Sequence, residues 1–315
     1  MLKLLARRLA LGLLVMWVVS VLVFVATEIL PGDVARAVLG QGVTEEALAN
    51  IRERLGLDQP AYIRYFHWLG GMATGDLGTS LATGIRISDM IGDRFWNTMF
   101  LATASAVIAV PLAVMLGLVA AIWAETLIDR FISITTLCFI SVPEFFIAAL
   151  LVFVLAVQLQ WFPPLAFVDT NAGFFARLEA LILPIATLTF AITAHMTRMT
   201  RTAVLNVLSS PYIEQAILKG ASRFRIILRH ALPNALSPII NVIALNLAYL
   251  VSGVVVTESV FNYPGLALLM VEGVAYRDIP LVQAIGMIFC AAYVGLNLVA
   301  DILAIIANPR LRHPR

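Results

Sequence analysis

The chain has 315 residues, of which 61% are hydrophobic and 13% charged, with a formal net charge of +2. Soluble domains carry about 25% charged residues, so this composition belongs to an integral membrane protein and excludes a soluble enzyme. The basic residues are scattered over loops and offer no patch for nucleic acid, and the two cysteines, Cys138 and Cys290, lack metal-ligand spacing and read as small core residues.

Lys3, Arg7 and Arg8 precede an apolar run that continues to Ile29 without a small-residue cleavage site, which predicts an uncleaved first span. A bilayer core takes about 20 apolar residues per helix. Six segments reach that length, residues 9–29, 98–123, 131–159, 181–204, 239–256 and 281–306, and the third is long enough to need tilt. Six spans put both termini on one side. Basic residues from Lys3 and Arg8 through Arg130, Arg201 and Arg225 to Arg315 gather there, against Arg177 and Arg277 in the short opposite loops, so both termini are expected in the cytoplasm. The first opposite-side loop, residues 31–97, holds helix-like text over 44–55 and an amphipathic stretch over 61–70, where Ile63, Phe66 and Trp68 suit a membrane interface. A small extracytoplasmic subdomain is expected, because the loop is too polar to span and too patterned to be disordered.

Charge in hydrocarbon is costly, so polar residues within the spans carry two readings. Glu144, beside Pro143 in the third span, is either a pathway-facing carboxylate that meets an amine or cation, or a carboxyl paired with a polar neighbour or held protonated. His195, Arg198 and Arg201 follow at spacings of three on the fourth span. Snorkelling to the interface accounts for the arginines, while His195, one turn deeper, is open to a pathway role. Asp301 shares a face with Asn297 on the last span and reads as a structural group between helices. Pro111, Pro143 and Pro184 fall in three different spans, where they either kink the helices around a cavity or are simply tolerated. Gly117 and Gly253 permit close helix approach. Tyr263-Pro264-Gly265, after Glu258 and Phe261, reads as an extracytoplasmic turn followed by a short helix over 266–274.

Between the fourth and fifth spans lies SSPYIEQAILKGASRFRIILRHALPNALSP, residues 209–238, a polar helix-forming insert in an apolar chain. Ser210 is placed to cap a helix that has Pro211 at its first position and Glu214 in its first turn. Gly220 ends that helix and Ser222 can cap a second one, so the insert reads either as a protruding docking element or as an ordinary cytoplasmic loop held by the positive-inside rule. The frame of Glu214, Ala216, Gly220 and Leu232-Pro233 resembles the EAA loop of ATP-binding-cassette (ABC) importer permeases, with Gln215 where the family has a second alanine and His230 where it has a branched apolar residue.

The resemblance extends along nearly the whole chain to the dipeptide, oligopeptide and nickel branch of that family, and to its B-type half. It is carried in order by LPGD at 30–33, LGLDQPAYIRYFHWLGG at 55–71, GDLGTSL at 75–81, SVPEFF at 141–146, RHALPNAL at 229–236, VVVTESVFNYPGLALL at 254–269, YRDIPLVQ at 276–283 and NPRLR at 308–312. Asn308 departs from the Asp-Pro-Arg with which members usually end. The resemblance implies an all-α membrane protein of the ABC type-1 importer permease fold. Its parts would be an N-terminal transmembrane helix (1–30), an extracytoplasmic helical subdomain (31–93), a five-helix core with the coupling loop (94–307) and a cytoplasmic tail (308–315). It implies coupling to an ATPase through Glu214, Gln215, Ala216, Gly220, Leu232 and Pro233, and a landing surface for a solute-binding protein at Asp76, Tyr263, Pro264 and Gly265. The expected partners are a homologous second permease subunit, two cytoplasmic ABC ATPases that carry the ATP and magnesium, an extracytoplasmic solute-binding protein and the lipids of a bacterial or archaeal cytoplasmic membrane.

The chain itself has only two lysines, Lys3 and Lys219, and neither sits in a phosphate-cradling G-x-x-x-x-G-K-[ST] frame. The histidines His67, His195, His230 and His313 are too dispersed for a metal centre. Neither an enzyme nor a cofactor site is therefore expected in this polypeptide. Two function classes remain. One is a permease subunit that passes di- or oligopeptides, or a related small solute such as a nickel complex, by alternating access. The other is a secondary transporter or channel that uses Glu144, His195 and Asp301 as a proton or cation relay, whereas Glu144, Pro143 and His195 are the candidate translocation pathway of the first. A docking loop without an evident inverted repeat favours the first.

Overall fold

The computed structural model describes residues 2–29, 59–167, 173–222 and 225–307, and the regular structure among them is helical. The helix expected over 44–55, the LPGD motif at 30–33, Arg223 and the tail 308–315 lie outside the described residues. In chain order the helices are α1 (Leu2–Ile29), α2 (Ala61–Thr74), α3 (Ile87–Ile122), α4 (Leu127–Ser141), α5 (Glu144–Leu151), α6 (Phe174–Ala180) and α7 (Ile182–Leu208). They continue with α8 (Pro211–Leu218), α9 (Leu232–Gly253), α10 (Val255–Val260), α11 (Leu266–Ala275) and α12 (Ile279–Ala307). Wider π-helical turns occupy Val152–Gln158 and Ile226–Ala231.

Four helical stretches are long and apolar enough to cross a membrane, and there are up to six spans when each of two bent pairs counts as one. The expectation that the third apolar segment is one tilted helix does not hold. α4 and α5 differ in direction by 97° across Val142-Pro143. Pro143 has no N–H to continue α4, so at φ −59 and ψ 142 it becomes the N-cap of α5 and accepts from Phe146 at 3.0 Å and Ile147 at 3.2 Å. The other two prolines differ: Pro111 makes no break, and Pro184 follows the 60° bend between α6 and α7 at Leu181. α3 runs on through Pro111, and Pro184 lies in the first turn of α7, where an N–H has no helical partner to lose. α3 also starts at Ile87, so the expected boundary between 93 and 94 falls inside one helix.

The chain clusters into two compact units. In the unit built chiefly from Met99–Tyr263, Ala121 of α3, Val204 of α7 and Ala235 and Ile239 of α9 form a buried core. Gly117 lets α3 meet α7 closely, since a Cβ there would stand 2.7 Å from Thr200 Cβ and 2.9 Å from the Thr197 carbonyl oxygen. Gly253 has no described side-chain environment. Arg201 does not snorkel as expected. Its Nε and Nη2 each donate at 2.7 Å to the two oxygens of buried Asp129, which joins α7 to α4. Asp129 also accepts from the Glu125 N–H at 2.9 Å and the Ser133 hydroxyl at 3.2 Å. Asp301 does have a structural partner, and it is Arg8 of α1 at 3.1 Å. Cys138 is exposed rather than part of a core, and Cys290 is half-buried.

In the unit built from Ala10–Thr98 and Pro264–Val294, α2 packs on α1. The Tyr65 ring meets Phe24 edge-on with centroids 5.4 Å apart, and its hydroxyl shares a hydrogen bond with Ser20 at 2.8 Å. Arg64 pairs with Glu28. Of the three residues expected at a membrane interface only Phe66 is exposed, because Trp68 leans on Phe24 and Ile63 is half-buried.

Two stability predictions follow from the α7 contacts. Arg201→Ala strands a buried carboxylate and is expected to cost about 3–5 kcal/mol, read as a lowered unfolding temperature of the detergent-purified protein. Arg201→Lys should recover only part of it, since an ammonium cannot bind both oxygens in parallel. Gly117→Leu forces α3 from α7 at an expected cost of about 1–3 kcal/mol in the same measurement.

Candidate functional site

The polar insert folds as a short anchored knob. Ser210 has the extended backbone of an N-cap, yet its hydroxyl donates back to the Val207 carbonyl instead of accepting from the helix, so Pro211 at N1 makes the start. Ile213 is the buried residue of α8 and packs with Ile226 and Ala231, against Ala216 and Ala221. Gly220 sits at φ 77. Its N–H donates to Ile217 O at 2.9 Å, and the next N–H, of Ala221, donates to Ala216 O at 3.1 Å. This pair of bonds is the Schellman end, which needs a left-handed residue. With Ile213 turned in, Glu214 and Gln215 face outward beside Ile217 and Leu218, the last 81% exposed. Ala216 and Leu232 are half-buried, and Pro233 is exposed at the start of α9.

Pro143, Glu144 and His195 line one cavity of about 380 Å³. Sequence reasoning brought these three together but missed Met199 of α7 and Asn246 and Tyr249 of α9, which share the wall. The Glu144 carboxylate opens α5 and accepts from the fully buried hydroxyl of Thr257 at 2.6 Å. Asn246 fixes its amide by donating to Val242 O at 2.8 Å. Asp301, the third member of the relay in the second function class, is not on this wall and is paired with Arg8. A separate cavity of about 740 Å³, bounded by α3, α4, α6 and α7, is mostly apolar and carries no titratable side chain, its polar groups being threonine hydroxyls such as those of Thr189 and Thr193.

The residues expected to meet a binding protein divide. Asp76 is exposed, and its carboxylate accepts from the Gly78 N–H at 3.0 Å, which shapes the GDLG turn. Tyr263 is only 2% exposed and Gly265 is buried, so neither residue presents a surface in this chain. Tyr263 goes inward because α10 ends with Asn262 at φ 49 and the Tyr263 N–H donates to Glu258 O at 2.9 Å. Pro264 is half-buried and accepts from Asn97 Nδ2 at 2.9 Å. The organising group on this side is Asp278, which sequence reasoning passed over. It is 1% exposed, binds the Ser80 hydroxyl, and accepts N–H bonds from Leu81 at 3.1 Å and Leu281 at 3.4 Å. An aspartate directly before Ile279-Pro280 at a helix start is a legible N-cap signal.

Comparison with known proteins agrees with this architecture. The family model described as "Binding-protein-dependent transport system inner membrane component" matches residues 113–313, and the model of that component's N-terminal part matches residues 1–102. The chain is 35% identical over 307 residues to a Sinorhizobium fredii protein named "Probable peptide ABC transporter permease protein", covering 98% of each. It is 37% identical over 298 residues to a glutathione transport system permease protein of Escherichia coli, covering 95% of each. A solved structure of the MetNI methionine ABC transporter shares the fold, with a TM-score of 0.54 at 17% identity over 70% of this chain and 96% of that one. Matched along almost its full length, this multi-pass helical chain belongs to the family of binding-protein-dependent transport system inner membrane components.

Proposed function

We propose that this permease is one half of an ATP-driven importer for peptides or a closely related small solute. The observation that carries the coupling part is α8, a helix held by one buried residue, ended at a positive-φ glycine and presenting an exposed charged and apolar face. Such a rigid knob suits a groove on a separate ATPase, and Glu214, Gln215, Ala216, Gly220, Leu232 and Pro233 form it or its base. The solute class is supported by the peptide and glutathione names of relatives that align over 95% or more of the chain. Two cytoplasmic ATPases, a homologous second permease subunit and an extracytoplasmic binding protein complete the assembly, with both termini and α8 in the cytoplasm, a reading the arginine distribution supports. ATP-driven closure of the ATPases moves α8, and the helices around the Glu144 cavity exchange their open side. Only a difference in nucleotide affinity between the two states can drive that exchange.

Glu214→Lys reverses the charge on the exposed face while leaving every span intact. Expected is loss of ATPase co-purification by about tenfold or more with normal membrane insertion. ATP-coupled uptake at the wild-type rate in reconstituted vesicles would remove α8 from the coupling role. Gly220→Val meets open space rather than a clash, so its cost comes from the left-handed backbone alone, about 1–2 kcal/mol. Uptake should fall while the unfolding temperature of the whole protein moves little. Uptake that needs an ion gradient and no ATPase would instead favour a secondary transporter.

A further inference from the structure

Four carboxylates among the described residues each meet an arginine: Asp129 with Arg201, Asp301 with Arg8, Glu28 with Arg64 and Glu272 with Arg94. Glu144 departs from this pattern. Its hydrogen-bond partner among the described residues is a single neutral hydroxyl, that of Thr257 on Oε1, and no lysine or arginine lines its cavity. One neutral donor does not offset the cost of holding a carboxylate away from water. His195 lines the same cavity, but the described residues set no lysine or arginine against Glu144, which faces a cavity of about 380 Å³, within the range that small ligands occupy.

We propose that Glu144 is the anchor for a primary ammonium group on the transported solute, the terminal amine of a peptide, and that Thr257 is its positioning residue. This rests on the importer reading and names the chemistry its cavity selects. Thr257 is fully buried on α10 and holds Oε1, which directs the second oxygen to an incoming N–H donor. Asn246 and Tyr249 add neutral polar groups on the α9 wall, while Met199 supplies apolar surface for a side chain. A metal ion fits less well, because among the described residues no three His, Cys, Asp or Glu side chains gather to hold one.

The test uses the complete assembly with a reporter on the cavity wall, Met199→Cys, in a background carrying Cys138→Ala and Cys290→Ala. Alkylation of the reporter by a maleimide is timed without binding protein, so that delivery does not select the probe. The probes are alanyl-alanine and its N-acetylated form at millimolar concentration. Expected is slowing by alanyl-alanine that needs about tenfold more of the acetylated form, as loss of a charged hydrogen bond predicts. Glu144→Gln should abolish that preference. Thr257→Val should weaken it and Thr257→Ser restore it, a rescue that mere packing by Thr257 would not show. Equal protection by both probes, no protection, or a preference that survives Glu144→Gln overturns the proposal. So does loss of the second permease from the Glu144→Gln assembly, which would make that subunit the source of the counter-charge. ATP-driven uptake of alanyl-alanine with its binding protein is measured in parallel. Uptake without a probe preference sinks this inference alone, whereas no uptake sinks the importer reading with it.

Discussion

A charge carried into an apolar slab must be met by an opposite charge or by several hydrogen bonds, and that constraint sets where this chain can place its carboxylates. Asp129 shows the full solution. It receives both arms of Arg201, a backbone N–H and a hydroxyl, and α4 and α7 are tied as a result. Part of that solution is backbone strain. Glu125 adopts φ 67, a region costly for a residue with a Cβ, and in that conformation its N–H reaches Asp129. A cost of this kind persists where the surroundings need the geometry, and here the need is a buried negative charge.

The same economy of backbone groups explains the helix ends. α8, α10 and α11 stop with one hydrogen-bond pattern, and the left-handed position is filled by Gly220, Asn262 and Arg277. Glycine is free to take that conformation, asparagine tolerates it, and arginine does not favour it. At Arg277 the turn sends the Asp278 N–H to Gly273 O at 2.8 Å and sets the carboxylate beneath the Ser80–Ala82 loop. At Gly220 nothing crowds the site, so its constraint is conformational rather than steric.

The apolar segments and the short helix of the polar insert were legible in the sequence because both are local: hydrophobic length, Pro211 at a helix start, Gly220 at its end. The bend at Val142-Pro143 was legible only in part: Pro143 marked a candidate kink, but neither residue interrupts the hydrophobic run that identifies a span, so the size of the turn stayed hidden. Side-chain pairing was equally hidden. Arg201 finds Asp129 across 72 residues, Thr257 finds Glu144 across 113, and Ser80 finds Asp278 across 198. No periodicity encodes such separations. Arg201 therefore read as an interfacial cation, and Thr257 carried no signal. Glu144 and His195 were singled out because polar groups are rare in spans, yet their shared cavity depends on α9, which the sequence did not connect to them.

α7 links the two sites. It carries His195 and Met199 on the cavity wall, Arg201 in the tie to α4, Thr200 against Gly117 of α3, and Val204 in the core shared with α9. At its C-terminal end, Val207 and Leu208 pack on the buried face of α8 with Ile213. On the proposed reading, a push on α8 enters α7 directly, without an intervening hinge. Because α7 is bound to α3 by a steric fit and to α4 by two charged hydrogen bonds, it cannot yield alone. On that reading its partners move with it, and the break at Val142-Pro143 is one place that can absorb the motion. Val142, Pro143 and Glu144 line one cavity, so the proposed joint and the proposed anchor share a wall.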